Sequence, residues 1–269
     1  MTDLPIIDIS PLFGTDIKSK LKVASQIDLA CRNNGFFEIE NHKIDLLDSL
    51  NFQAFRFFKN LSHEQKISLS PKKWNAKSDF TYRGYFPASV NGKEGYDIGN
   101  PRFDETHELV KNKSSLYEAF VWPDENLLPG FRNFFTEFYE KMSLLSKVLL
   151  SGFALALGKE ESFFDEKIRD FDCLHTCRLN FYPFLDNIDA VEIATDGTRL
   201  GCETHRDGGL ITILFQPIKG LQVESKNDNW IDVKPSSKNF IVNTGLCMQR
   251  WTNNVYKAAN HRVRHVRNI

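Results

Sequence analysis

The stretch that decides how this chain is read is residues 202–217, "CETHRDGGLITILFQP". Its first half sets His205 and Asp207 two residues apart. Its second half, from Leu210 to Phe215, is rich in β-branched and large apolar residues and has the character of a strand. On a strand, residues two apart project from the same face, with Cα atoms about 6–7 Å apart. His205 and Asp207 are therefore expected to converge on one point, with Arg206 turned the other way. Gly208 and Gly209 are placed to let the backbone bend tightly beside them. An imidazole with a carboxylate suits a first-row divalent ion, but two ligands hold one weakly, so a third must come from elsewhere.

Around this stretch the chain keeps the same character. "CLHTCRLNFYPF" (173–184), "GLQVES" (220–225), "WIDVKP" (230–235) and "NFIVNTG" (239–245) are short β-rich runs separated by turn residues, the spacing of an all-β barrel or sandwich. Toward the N-terminus the period changes. "LPIIDIS" and "FFEIEN" read as strands, and between them Leu21, Ala24, Ile27 and Cys31 recur at helical steps. A helix fits Leu46 to Phe58, and Ser62 with Gln65 is a capping-box start for another. Residues 71–126, rich in Lys, Asn, Gly, Ser and Pro, read as irregular surface with short strands. The longest helical pattern begins near Pro129. It carries Phe131, Phe134, Phe138, Met142, Leu145 and Leu149 on one face and stops at Gly158. No linker-like composition separates the parts. The expectation is one domain over 1–269: a mostly helical part, 1–170, backing a jelly-roll core, 171–269.

The chain holds seven histidines, and the third ligand is sought among those other than His205. His42 sits in a loop, His63 at a helix start and His107 in the charged "DETHE" segment, where local structural roles are expected. His175 lies in a strand run. His261, in "YKAANHRVRH", follows the last β run and has the strand character to lie beside Leu210–Phe215. With His205 and Asp207 it would give two histidines and one carboxylate on one face of a metal, leaving three positions open. Two competing patterns exist. "HRD" opens a protein-kinase catalytic loop, but Gly208 and Thr212 stand where Leu and Asn are required, and neither a Gly-rich loop nor DFG is present. His261 and His265 have zinc-ligand spacing, but no cysteines flank them and His205 and Asp207 would be left unexplained.

The totals narrow the partners. Across 269 residues the net charge is −1, with 41% apolar and 26% charged residues, so nothing drives the chain toward nucleic acid or an anionic membrane surface. Five cysteines, an odd number, do not make a disulfide framework. The N-terminus lacks a signal-peptide pattern, and no apolar stretch reaches membrane-spanning length. A cytoplasmic protein is expected, a monomer or weak oligomer acting on a small-molecule substrate.

These fragments, taken in order, resemble the isopenicillin N synthase-like branch of the Fe(II)/2-oxoglutarate-dependent oxygenases. "LPIIDIS" and "ACRNNGFFEIENHKID" are similar to the family's opening strand, helix and strand, and "FFKNLSHEQK" and "YRGYFP" to its next landmarks. "RLNFYP" resembles the R-x-N-x-Y-P strand. "THRDGGLITILFQPIKGLQVESKNDNWIDVKP" and "NFIVNTGLCMQRWTNNVYKAANHRV" resemble the iron-binding half. The resemblance implies a double-stranded β-helix that holds Fe(II) on His205, Asp207 and His261, and these three become the catalytic set. Tyr182 and Asn180 fall where the family contacts 2-oxoglutarate, and Arg178, on the same strand face, is either a further pocket residue or a buried ion-pair partner. It also implies O₂ as oxidant, ascorbate as a reductant, and hydroxylation, desaturation or ring closure coupled to succinate and CO₂ release. Two family members use iron and O₂ without 2-oxoglutarate, which is the alternative within the class. A non-catalytic small-molecule binder is the alternative outside it.

The chain departs from the pattern twice. Gly245-Leu246 replaces the usual Gly-Asp. The family's Arg-x-Ser, which anchors the far carboxylate of 2-oxoglutarate, would lie beyond Ile269, with Arg267 the nearest arginine and no Ser after it. A polypeptide continuing past Ile269 is expected, along with an exposed sheet edge where its strand would pair. The aromatic-bearing stretch from Tyr82 to Glu105 is expected to form a wall of the substrate pocket.

Overall fold

The computed structural model describes residues 4–88, 91–112, 117–168, 174–183 and 191–265. Arg267, singled out from the sequence, lies outside them. The fold is mainly β with helices, a jelly roll whose sheets are largely antiparallel. The chain divides into two compact units. One comprises Met1–Ile44, Leu144–Lys167 and Val191–Ile269, and the other Asp45–Ser143 and Ile168–Ala190.

In the first unit, β6 (Leu200–His205), β7 (Ile211–Phe215), β8 (Leu221–Glu224), β9 (Trp230–Asp232), β10 (Phe240–Thr244) and β11 (His261–Arg264) build two four-stranded sheets. One runs β6-β11-β8-β9. The other runs β1-β2-β10-β7 and recruits β1 (Ile6–Asp8) and β2 (Phe36–Glu40) from the N-terminus. Successive strands cross from one sheet to the other, β6 to β7 to β8 and later β9 to β10 to β11, which is the winding of a double-stranded β-helix. Phe36, Leu221, Val223, Val233 and Ile241 close one apolar cluster between the sheets. Each such side chain fully buried contributes about 1.5–3 kcal/mol.

Strand β2 is buried on both faces because it is covered on both. Phe36 faces the barrel interior, while Phe37 packs on Phe153 of α5 (Phe131–Ala156), ring centroids 6.1 Å apart. Helix α1 (Ile17–Asn33) begins where Asp16 accepts the backbone N–H groups of Lys18 and Ser19, and buries Val23, Ala24, Ile27, Ala30 and Cys31. Leu21, expected on that face, is exposed. Among the described residues the outer edge of β7 pairs with no strand. No helix among the described residues is long and apolar enough to cross a membrane.

The second unit holds α2 (Leu47–Asn60), α3 (His63–Ser68), α4 (Glu108–Lys111) and the sheet β3-β4-β5, with β3 Gly84–Phe86, β4 Glu94–Ile98 and β5 Cys177–Phe181. The capping box at Ser62 and Gln65 is present in full. Phe57 stacks on Tyr96 with centroids 4.2 Å apart, and Phe131 and Tyr85 complete an aromatic core. Tyr85, expected on a pocket wall, is core, whereas Tyr82 is exposed.

Candidate metal centre

His205, Asp207 and His261 are brought together, each offering one ligand atom within 4.8 Å of the others. The route differs from the simple strand alternation expected of His205 and Asp207. Strand β6 ends at His205, and Asp207 lies in the loop beyond it. His261 stands directly across from His205, because β11 pairs with β6 and β8 rather than with the Leu210–Phe215 strand. Cross-strand neighbours sit about 4.5–5.5 Å apart at Cβ, so the two imidazoles meet without any long side chain. Their ring centroids are 4.2 Å apart.

Each ring is oriented from behind. His205 Nδ1 lies 2.8 Å from the carbonyl oxygen of Glu203, and His261 Nδ1 lies 3.3 Å from that of Ala259. A carbonyl can only accept, so in the neutral imidazole the proton sits on Nδ1 and the Nε2 lone pair is free. Both Nε2 atoms face the same carboxylate oxygen, Asp207 Oδ1, at 3.7 Å from His205 and 3.6 Å from His261. The other oxygen, Oδ2, accepts from Thr212 Oγ1 at 2.6 Å and Asn243 Nδ2 at 2.8 Å. Phe36 presents its ring to His261 in an edge arrangement and walls the buried side.

The charges follow from these contacts. Burial pulls the Asp207 carboxyl upward, but the bonds from Thr212 and Asn243 and the two facing imidazoles outweigh it and hold the group below its usual range. Burial lowers the pKa of His261. His205 is raised to about 9, chiefly by a hydrogen bond with Cys202, with help from the Glu203 carbonyl and Asp207 and against the effect of burial.

The donor set fits a divalent first-row metal. It has two imidazole Nε2 atoms, that of His205 becoming a donor once its proton is lost, and one carboxylate oxygen, with hydrogen-bond partners behind each. Donors bound to one ion at about 2.1 Å sit about 3 Å apart in an octahedron, so small shifts close the present separations onto a metal.

Gly208 and Gly209 lie in a backbone bend beside the site, as expected, although neither has a positive φ and a Cβ at Gly208 would meet nothing. The demanding position is Gly245, where a Cβ would stand 2.2 Å from the Gly209 carbonyl oxygen and 2.8 Å from that of Asp207.

The residues expected to contact 2-oxoglutarate lie in the second unit. Arg178 and Asn180 share one exposed face of β5, and Tyr182 follows the strand end, also exposed. Arg178 grips buried Asp97 on β4 through Nε and Nη2, both at 2.6 Å. Asp97 and Arg178 are directly opposed in register, so this pair joins β4 to β5. His42 is buried, with Nδ1 accepting from the Ile44 N–H and Nε2 2.8 Å from the Lys238 carbonyl oxygen, so it ties its loop to a segment far along the chain. Sequence reasoning missed Thr212 and Asn243. The signal was present in the polar residues that each places inside an otherwise apolar strand.

Comparison with known proteins agrees with this geometry. Residues 173–268 match the model of the 2OG-Fe(II) oxygenase superfamily, and residues 4–125 match that of the N-terminal region of non-haem dioxygenases in morphine synthesis. The isopenicillin N synthases of Streptomyces microflavus and Penicillium chrysogenum are 42% and 38% identical, each over 98% of this chain and 81% of their own length. A full-length Neurospora crassa protein solved with alpha-KG and 5-formyluracil superposes with a TM-score of 0.80 at 28% identity, over 99% of this chain and 79% of its own. JOX2, solved with 2OG, Fe and JA, gives 0.69 at 26% identity, over 98% and 70%. The chain belongs to the 2OG-Fe(II) oxygenase superfamily, in its isopenicillin N synthase-like branch.

Proposed function

We propose that this protein is a non-haem Fe(II)- and 2-oxoglutarate-dependent dioxygenase that oxidises a small organic substrate, with hydroxylation as the outcome. The observation that carries this reading is the convergence of His205 Nε2, His261 Nε2 and Asp207 Oδ1, with each imidazole proton held on Nδ1. Fe(II) and 2-oxoglutarate, when bound, supply the activation of O₂ that no side chain can provide.

The chain's own residues do the remaining work. His205 and His261 offer neutral nitrogen donors whose orientation is set by the carbonyls of Glu203 and Ala259. Asp207 adds one negative charge, kept ionised by Thr212 and Asn243. Three ligands gathered on one side leave the opposite side open to small molecules. Asn180 and Tyr182 supply an amide and a hydroxyl suited to a carboxylate partner, and the R-x-N-x-Y-P pattern supports assigning them to 2-oxoglutarate. In this reading the substrate is neither nucleic acid nor membrane, and the enzyme works as a monomer or weak oligomer in the cytoplasm.

A second reading is an Fe(II)/O₂ oxidase of the same family that does without 2-oxoglutarate. What favours it is that the sequence relatives at 38–42% identity are isopenicillin N synthases, whereas the solved structures holding 2-oxoglutarate are more distant, at 26–28%. One experiment separates the two. Protein loaded anaerobically with Fe(II) is exposed to O₂, and succinate and CO₂ are measured from labelled 2-oxoglutarate, with His205→Ala as control. Succinate that disappears in the variant supports the dioxygenase. Stoichiometric iron with no succinate, together with O₂ uptake that needs no 2-oxoglutarate, supports the oxidase. Failure to take up iron overturns both.

A further inference from the structure

We propose that Thr212 and Asn243 are positioning residues that restrict Asp207 to one-oxygen ligation of the metal, and that Gly245 fixes the backbone of the same residue. This rests on the metal reading above and concerns how many coordination positions the chain leaves free.

A carboxylate can bind a metal through one oxygen or two, and the choice changes the number of open positions. Here the two oxygens of Asp207 have separate duties. Oδ1 faces both imidazoles, while Oδ2 accepts from Thr212 Oγ1 and Asn243 Nδ2. An oxygen that already accepts two donors has no lone pair left for a metal. Turning the carboxylate to offer both oxygens would break both bonds, one of them to a side chain that is only 2% exposed.

The two donors come as a unit. Thr212 on β7 and Asn243 on β10 are directly opposed in register, so their side chains leave the sheet together. The segment that follows Asn243 holds the backbone. The N–H of Leu246 donates to the Asp207 carbonyl oxygen at 2.7 Å, that of Cys247 to Gly209 at 3.1 Å and that of Gly245 to Leu210 at 2.9 Å. These are the first N–H groups of α6 (Leu246–Trp251), which have no partner within their own helix, and the metal-binding loop serves as their cap. Contact this close is possible only because position 245 has no Cβ.

The consequence is chemical. If a metal binds here, one-oxygen ligation by Asp207 would keep one more of its positions open to small molecules than two-oxygen ligation would.

The test uses Mn(II), whose bound waters are counted by water-proton relaxation, on the wild type and on Thr212→Val, Thr212→Ser and Asn243→Ala. Val keeps the β-branched shape of Thr and removes only the hydroxyl, so Thr212→Val is expected to fold, as circular dichroism and thermal melting will show. The relaxation enhancement per bound Mn(II) is expected to fall by about a third in Thr212→Val and Asn243→Ala, as three exchangeable waters become two. The affinity of the Mn(II) protein for 2-oxoglutarate is expected to drop about ten-fold in the same variants. Thr212→Ser, which keeps the hydroxyl, should retain the wild-type enhancement. Wild-type enhancement in folded Thr212→Val and Asn243→Ala overturns the proposal, as does a Ser variant as depressed as Val. A wild type that takes up no Mn(II) overturns the metal reading itself, and the clamp with it.

Discussion

His205 does two jobs, and the balance between them is set by protons. Before a metal binds, its imidazole is raised to about 9, so at neutral pH it carries a proton that the metal must displace, whereas burial keeps His261 neutral there. Fe(II) affinity should therefore rise with pH, by up to about ten-fold per unit between pH 7 and 9, and then level off. Anaerobic titration across that range, following proton release, checks the sign. The same proton stabilises the metal-free fold below the unfolded value of about 6.5, and that contribution is lost as pH rises through about 9. Replacing the side chain is harsher. His205→Ala leaves two ligands on the site, and Fe(II) affinity should fall by about 100-fold or more, with loss of turnover. At this scale the family resemblance singled out His205, Asp207 and His261, which the structure brings together, while Thr212 and Asn243 left no more trace than a polar residue within an apolar strand. Their function depends on facing a carboxylate that sequence places 5 and 36 residues away.

At the scale of an element, β11 shows how one strand serves two sides. His261 points toward His205, and its neighbour Arg262 points the other way, as strand alternation requires. Arg262 is only 3% exposed. Its Nε donates to Gln222 at 2.8 Å, its Nη2 to Asp196 at 2.6 Å, and the guanidinium lies 3.9 Å from the centroid of the Trp230 ring. The guanidinium and Thr198 hold the Asp196 carboxyl well below its usual range. Arg262→Ala strands the Gln222 amide oxygen and uncovers Trp230, so it should lower the unfolding free energy by about 2–3 kcal/mol in urea denaturation. Arg262→Lys, which keeps the charge but loses the planar fork, should recover only part of that. Arg262 is an internal tie, decided by the pairing of β11 with β8 that brings Gln222 alongside.

For the whole molecule, the metal is expected to act as a stabiliser as well as a reagent. A ligand that binds only the folded state adds RT ln(1 + [L]/Kd), about 2.7 kcal/mol at one hundred times Kd. Thermal melting with excess Mn(II) should rise accordingly in the wild type and stay unchanged in His205→Ala. A rise in both would place the stabilising ion elsewhere.

Strand and helix periods, the capping box at Ser62 and the spacing of His205 and Asp207 are local, and a sequence carries local spacing directly. The partnerships were decided only by the tertiary structure. β11 lies against β6 rather than β7, and β1 and β2 complete a barrel sheet from the far end of the chain. The close backbone contact beside Asp207 that only a glycine permits falls at Gly245, far along the chain. Each of these joins segments distant in sequence, where hydrogen-bond register and close packing, rather than the preference of any single residue, determine which neighbours can meet.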